Sequence, residues 1–109
     1  MKITAVETYW TQTPFDMGGK PKVMGGLNWQ MMNTVWLRIR TDAGIDGWGE
    51  AFGHGTAAAT LTVLDTQLAP AILGQDARDI AGLRQRLGKA FHIYGRNGPH
   101  VFALSALDI

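Results

Sequence analysis

The chain has 109 residues, of which 46% are hydrophobic and 17% are charged, so it is long enough for one small folded domain and too apolar for a disordered segment. Ten basic and nine acidic residues give a net charge of +1 without a basic block, a pattern that disfavours nucleic acid and anionic membranes as partners. The absence of cysteine excludes disulfides and thiol catalysis within this sequence. The start "MKITAVETYW" is not a secretory signal and no stretch is long enough to span a membrane, so we expect a cytoplasmic protein.

Three β-strands are predicted in the first half of the chain. Residues 2 to 11 combine β-branched and aromatic side chains, which favour a pleated surface. Residues 32 to 41 alternate, with Val35, Leu37 and Ile39 on one face. The turn "TDAG" then predicts that residues 45 to 52 return antiparallel as the third strand. These elements predict a three-stranded antiparallel meander sheet.

The stretch between the first two strands, residues 13 to 29, reads "TPFDMGGKPKVMGGLNW". Its two Gly-Gly pairs and two prolines predict a segment that neither pairs nor coils for long. Loops of this length within a compact domain are usually lids or binding segments. We therefore expect a functional loop here.

Glycines are concentrated in "GIDGWGEAFGHG", residues 44 to 55. Gly47 and Gly49 share one face of the predicted strand, while Trp48 projects from the other. Two interpretations remain: the bare face admits another backbone or a ligand, or the glycines relieve twist and crowding. Gly53 and Gly55 follow the strand and flank His54, which predicts a short mobile loop with one titratable tip.

The second half of the chain has helical periodicity. A first helix begins after Thr56, a candidate N-cap, and is expected to end around Pro70. A second begins at Asp76 or Asp79 and is the most strongly patterned, with one apolar stripe formed by Ile80, Leu83, Leu87, Phe91 and Tyr94. A third begins at Pro99 and is apolar on almost every side, which predicts burial all round. The predicted fold class is α+β, a three-stranded meander followed by a small bundle of helices.

The order of these features resembles a known domain. A leading "MKI" strand, a long Gly/Pro loop, the hairpin "TDAGIDGWGEAF", the connection "LAPAILGQDARDI" and the closing "SALDI" are together similar to the N-terminal capping domain of the enolase superfamily, in the branch of mandelate racemase and muconate lactonizing enzyme. The resemblance covers residues 1 to 109, with strands and lid loops in about 1 to 55 and helices in about 56 to 109. It implies that the parent protein continues into a (β/α) barrel.

The resemblance also implies a function for the parent. Its barrel would bind Mg²⁺ and supply the base that removes the proton α to a carboxylate of a sugar acid or amino-acid derivative, as a dehydratase, racemase or cycloisomerase. The parent is expected to be a homo-oligomer. This segment would carry neither catalytic residues nor metal ligands and would be inactive alone. It would contribute two substrate-facing lid loops, residues 14 to 29 and 52 to 55, with the candidate binding residues Phe15, Met17, Lys20, Met24, Trp29, Phe52, His54 and Gly55.

Several of these residues have a second interpretation. Trp29 could anchor the second strand in the core, Lys20 could be a solvated loop lysine, and His54 could face solvent instead of substrate. The separations of His54, His92 and His100 match no compact metal-ligand motif. The alternative function is a self-standing α+β module that binds a ligand or partner without catalysis.

Overall fold

In the computed structural model, which describes residues 1–20 and 22–109, three strands form one antiparallel sheet in the order β1, β4, β5. β1 spans Ile3–Pro14, β4 spans Met31–Thr41 and β5 spans Asp46–Phe52. The inner face of this sheet holds Val35 and Leu37, both buried. The predicted fold class, an antiparallel meander followed by helices, is confirmed.

The prediction that residues 13 to 29 do not pair is wrong in part. Two short strands, β2 (Val23–Met24) and β3 (Leu27–Asn28), form an antiparallel hairpin. Gly25 and Gly26 at its turn have φ values of +58° and +79°, and two positive φ values in a two-residue turn match the twist of a hairpin. The Gly-Gly pair therefore permits the pairing that it was expected to prevent. Pro21 of this stretch lies outside the described residues.

The first helix ends at Ile72, two residues beyond Pro70, around which its end was predicted. It starts as α1 (Ala57–Val63), widens into a π-helical turn over Leu64–Leu68 and continues as α2 (Ala69–Ile72). Pro70 directly follows the π-helical turn, where the regular i to i−4 hydrogen-bond pattern is already interrupted. Thr56 occupies the N-cap position, but its side chain makes no capping hydrogen bond.

The second and third helices are α3 (Ile80–Ala90) and α4 (Pro99–Asp108), separated by a 3₁₀ turn over His92–Tyr94. Asp79 is the N-cap of α3, since its side chain accepts a hydrogen bond from the backbone N–H of Gly82 at 3.1 Å. Asp76 instead pairs with Arg78. Of the two residues at which the sequence allowed the second helix to begin, Asp76 and Asp79, the structure shows that Asp79 is the N-cap.

Helix α4 covers β5 but is not buried all round, contrary to the expectation. Ala103 and Ala106 are buried against the sheet, whereas Ser105 and Asp108 face solvent. The contact with β5 is close enough that a Cβ placed on Gly49 would lie 1.9 Å from the carbonyl oxygen of Ala106. This explains Gly49 as a position where another backbone approaches the strand. Gly47 has open space around it and is not explained in this way.

His100 lies in the first turn of α4 and is only 6% exposed. Its ring packs against those of Phe91 and Tyr94, with centroid distances of 5.2 and 4.8 Å. Nε2 has no hydrogen-bond partner among the described residues. Burial lowers the pKa of His100, because the charged imidazolium loses more hydration than the neutral ring.

Candidate substrate-facing loops

The sheet brings both candidate loops to one edge. In the antiparallel register Pro14 at the end of β1 pairs with Met31 at the start of β4, and Phe52 at the end of β5 pairs with Thr34 of β4. The segment that follows β1 and the segment that follows β5 therefore leave the sheet side by side. Residues far apart in sequence can contact one another here.

Three aromatic side chains connect the two loops. The ring of Trp29 meets Phe15 edge to face at 5.3 Å between centroids and meets His54 at 6.0 Å in a similar orientation. Trp29 and Phe15 are half-buried. The loop edge thus has a small aromatic core of its own, and Trp29 belongs to this cluster of Phe15, Trp29 and His54 instead of the main core.

A hydrogen bond joins His54 to the hairpin. Its Nε2 lies 2.7 Å from the carbonyl oxygen of Met24. Gly55 has a φ of +68°, and a Cβ placed there would lie 3.2 Å from the Cδ1 atom of Leu27. Gly53 is buried so closely against β4 that a Cβ would lie 2.5 Å from the carbonyl oxygen of Asn33. The two glycines on either side of His54 thus let the loop approach β4 and the hairpin closely.

A pocket of about 270 Å³ lies between this loop, the hairpin and the inner face of the sheet. The predicted residues His54 and Gly55 line it, together with residues that the sequence interpretation missed, among them Trp10, Gln12 and Asn28. Trp10 is 46% exposed, and its indole N–H and the amide N–H of Gln12 both donate to Asn33 Oδ1, at 3.0 and 2.8 Å. The strand periodicity of β1 places Trp10 on the inward face of the sheet, and this was the available indication of its role. The helices do not extend far enough to cover Trp10 there.

The other predicted substrate-binding residues do not lie together in one pocket. Met17 lines a second pocket of about 360 Å³ beside Phe15 and Trp29. Lys20 is exposed, and Met24 contributes its backbone carbonyl to the bond with His54. Phe52 is not part of the aromatic cluster, because its aromatic contact is with Phe102 of α4 at 5.0 Å.

Four charged side chains of the outer sheet face are paired with one another. Arg38 and Arg40 of β4 both form ion pairs with Glu7 and Asp46, and the hydrogen bond to Asp46 is the main cause of a raised pKa for Arg38. Within residues 1–20 and 22–109, no group of three or more acidic or histidine side chains is placed to hold a metal ion. The described residues therefore do not fit a resident Mg²⁺.

The fold and the paired loops define a capping domain of the α+β class. The family model of the mandelate racemase / muconate lactonizing enzyme N-terminal domain matches residues 2–109. The chain belongs to this family, within the enolase superfamily.

Curated relatives include enzymes of two reaction types. The chain is 37% identical over 78 residues to a D-mannonate dehydratase of Sphingomonas sp. strain SKA58, an alignment that covers 71% of this chain and 19% of that protein. It is 35% identical over 77 residues to a 3,6-anhydro-alpha-L-galactonate cycloisomerase of Streptomyces coelicolor, covering 69% and 21% of the two proteins. These alignments cover about a fifth of the length of the relatives.

Solved structures share the whole fold. A racemase from Streptomyces coelicolor with bound magnesium superposes with a TM-score of 0.82 at 28% identity, covering 97% of this chain and 29% of that one. A member of the enolase superfamily from Agrobacterium tumefaciens gives a TM-score of 0.81 at 27% identity, covering 99% and 32%. In each, the matching domain is part of a larger chain.

Among the residues described for this chain, no helix is both long and apolar enough to cross a membrane.

Proposed function

We propose that this chain is the substrate-capping domain of a larger enzyme that removes the proton α to a carboxylate of a sugar acid or amino-acid derivative. The observation that carries the proposal is the edge at which β1 and β5 end, because it brings together two loops that can close over a substrate held by another domain. Closure of such loops excludes water and completes the binding site. The dehydratase and cycloisomerase relatives support a parent of the lyase or isomerase type.

In this proposal the chemistry belongs to the rest of the parent. Mg²⁺ would be held by the parent's barrel domain, and the solved racemase of the same fold with bound magnesium supports a magnesium-dependent parent. The substrate-binding residues of this segment would be Phe15, Met17, Lys20, Met24, Trp29, Phe52, His54 and Gly55. The parent would be a cytoplasmic homo-oligomer, and this segment alone would be inactive.

The test measures α-proton exchange in the full-length protein that carries this domain. A panel of sugar acids and N-acyl amino acids is incubated in D₂O with Mg²⁺, and loss of the α-proton signal is followed by NMR. We expect exchange or turnover with at least one member of the panel, abolished by EDTA and restored by Mg²⁺. Turnover that is indifferent to EDTA, or no exchange and no product across the panel, would contradict the proposal. The segment 1–109 alone serves as the negative control.

A further inference from the structure

We infer that His54 is a positioning residue that fastens the β2–β3 hairpin to the loop after β5, and that this bond leaves its other ring nitrogen as an acceptor for a neutral hydroxyl group in the adjoining pocket. The fastening role stands on the contacts alone. The acceptor role rests on the proposed function, because it assigns a part of the substrate to this pocket.

The hydrogen bond fixes the tautomer of the ring. A carbonyl oxygen can only accept a hydrogen bond, so the 2.7 Å contact with Met24 requires the proton to be on Nε2 of His54. In the neutral imidazole the other nitrogen, Nδ1, is then an acceptor. One side chain can therefore donate to the hairpin and still accept from a ligand.

The hairpin needs such a fastening because it is small. Its strands have two residues each, and an isolated two-stranded hairpin is at best marginally stable in water. Besides the bond from His54, Trp29 donates its backbone N–H to the carbonyl of Lys22 at 2.7 Å and closes the base of the hairpin. The loop that carries His54 is anchored by contrast, since Gly53 is buried against β4. His54 thus connects the loop after β5, whose backbone is held against β4, to the β2–β3 hairpin, which has few other contacts.

The pocket beside His54 has the lining expected for a neutral hydroxylated group. None of its lining residues is Asp, Glu, Lys or Arg, so a charged group placed there would lose hydration without a counter-charge. The amides of Gln12 and Asn28 offer further hydrogen bonds, and the half-exposed indole of Trp10 offers an apolar surface. In this proposal a substrate hydroxyl in the pocket donates to Nδ1 of His54.

Two isosteric variants separate the two roles in the full-length protein. The side-chain nitrogen of glutamine lies as many bonds from Cα as Nε2 does, whereas the side-chain oxygen of asparagine lies as many as Nδ1 does. His54→Gln therefore keeps the donor to Met24 and loses the acceptor, while His54→Asn keeps the acceptor and loses the donor. His92→Gln is the matched control, because His92 is exposed on the 3₁₀ turn away from both loops.

Amide hydrogen exchange at Trp29 tests the fastening role without substrate. We expect His54→Asn to speed exchange about two- to tenfold, the range that corresponds to one net hydrogen bond, and His54→Gln and His92→Gln to leave it within about twofold. Equal exchange in wild type and His54→Asn would overturn the fastening role. So would equal acceleration in His54→Asn and His54→Gln, which would mean that the imidazole packs without donating.

Kinetics test the acceptor role, using the sugar acid that exchanges fastest in the screen described above and its analogues lacking single distal hydroxyls. We expect His54→Gln to raise KM about tenfold with little change in kcat, and to cost nothing further for the one analogue that lacks the recognised hydroxyl. An unchanged KM, or a penalty that is the same for every analogue, would overturn the acceptor role. If only an N-acyl amino acid is processed, the acceptor role fails and the proposed function stands. If no member of the panel is processed, both fail, while Trp29 exchange still decides the fastening role.

Discussion

Glycine is required both where α4 packs on the sheet and at the end of the sheet where the two loops leave β1 and β5, but for different reasons. Gly49 is required because the backbone of α4 occupies the space of a side chain. Gly25 and Gly26 are required because their positive φ values turn a hairpin that has open space around it. Substitution in the first region should therefore disturb packing throughout the domain, and substitution in the second should disturb a single local element.

The largest effect is expected for Gly49→Ala. The added methyl would overlap the Ala106 carbonyl, which is backbone and cannot rotate away, so we expect a loss of about 3 kcal/mol in the free energy of unfolding. Gly47→Ala on the same face is the control, since nothing lies within 4 Å of its added Cβ. Urea denaturation of both variants makes the comparison. Equal losses would mean that strand propensity, and not the contact with α4, limits these positions.

An intermediate effect is expected from acid acting on His100. Its pKa is lowered in the folded state by burial, so the folded protein binds this proton less readily than the unfolded chain. The associated stability is complete above the unfolded pKa of about 6.5 and is lost as the pH falls towards the folded pKa, by at most about 1.4 kcal/mol per pH unit for one proton.

Urea denaturation at pH 7.5 and pH 5 measures this dependence. Wild type should lose more stability between the two pH values than His100→Gln, whereas His92→Gln, with the buried ring intact, should behave like wild type. If the pH dependence of the His100→Gln variant equals that of wild type, the acid sensitivity lies elsewhere.

A smaller and local effect is expected for Gly26→Ala. The φ of +79° at this position costs an L-residue about 1 kcal/mol, and the hairpin contributes little to the main core. We expect faster amide exchange at Trp29, with a global free energy of unfolding within about 0.5 kcal/mol of wild type. A global loss as large as that of Gly49→Ala would show that the two regions unfold as one unit.

The smallest effect is expected for Arg84→Ala. Arg84 pairs with Asp108 across α3 and α4 at 3.1 Å, but its side chain is 75% exposed. Exposed ion pairs contribute little, so the expected loss is under about 0.5 kcal/mol and should shrink further in high salt. A loss above 1 kcal/mol would mean that the pair, and not apolar packing alone, holds α3 to α4.

The sequence predicted an element correctly where its hydrophobic residues follow a single periodicity. Alternation in β4 predicted its buried face, and Pro99 marked the start of α4, as the structure confirms. The sequence placed the end of the first helix to within two residues, at Pro70 instead of Ile72, but did not reveal the π-helical turn that precedes the proline. It was also insufficient at Gly25 and Gly26, since a Gly-Gly pair is compatible with both a loop and a tight hairpin turn.

The candidate site was predictable only in outline. His54 was found because two glycines flank it, and Trp29 because it ends the long loop. The bond from His54 to Met24 joins residues 30 positions apart, a relation that depends on the sheet register and that no local pattern contains. Trp10 was missed for the same reason, since its exposure depends on where the helices stop covering the sheet.

The π-helical turn at Leu64–Leu68 has a consequence for the geometry of the core. Thr60, Leu64, Leu68 and Ile72 are all buried and recur every four residues. In an uninterrupted α-helix four residues exceed one turn by about 40°, so three such steps would rotate the last side chain about 120° away from the first. The wider π turn absorbs part of that rotation and keeps the row straight along the helix. The π turn corrects the phase of the buried stripe. If the same residues formed an uninterrupted α-helix, Ile72 would point about 120° away from Thr60, whereas deletion of one residue within the turn would leave Ile72 within about 20° of the Thr60 face.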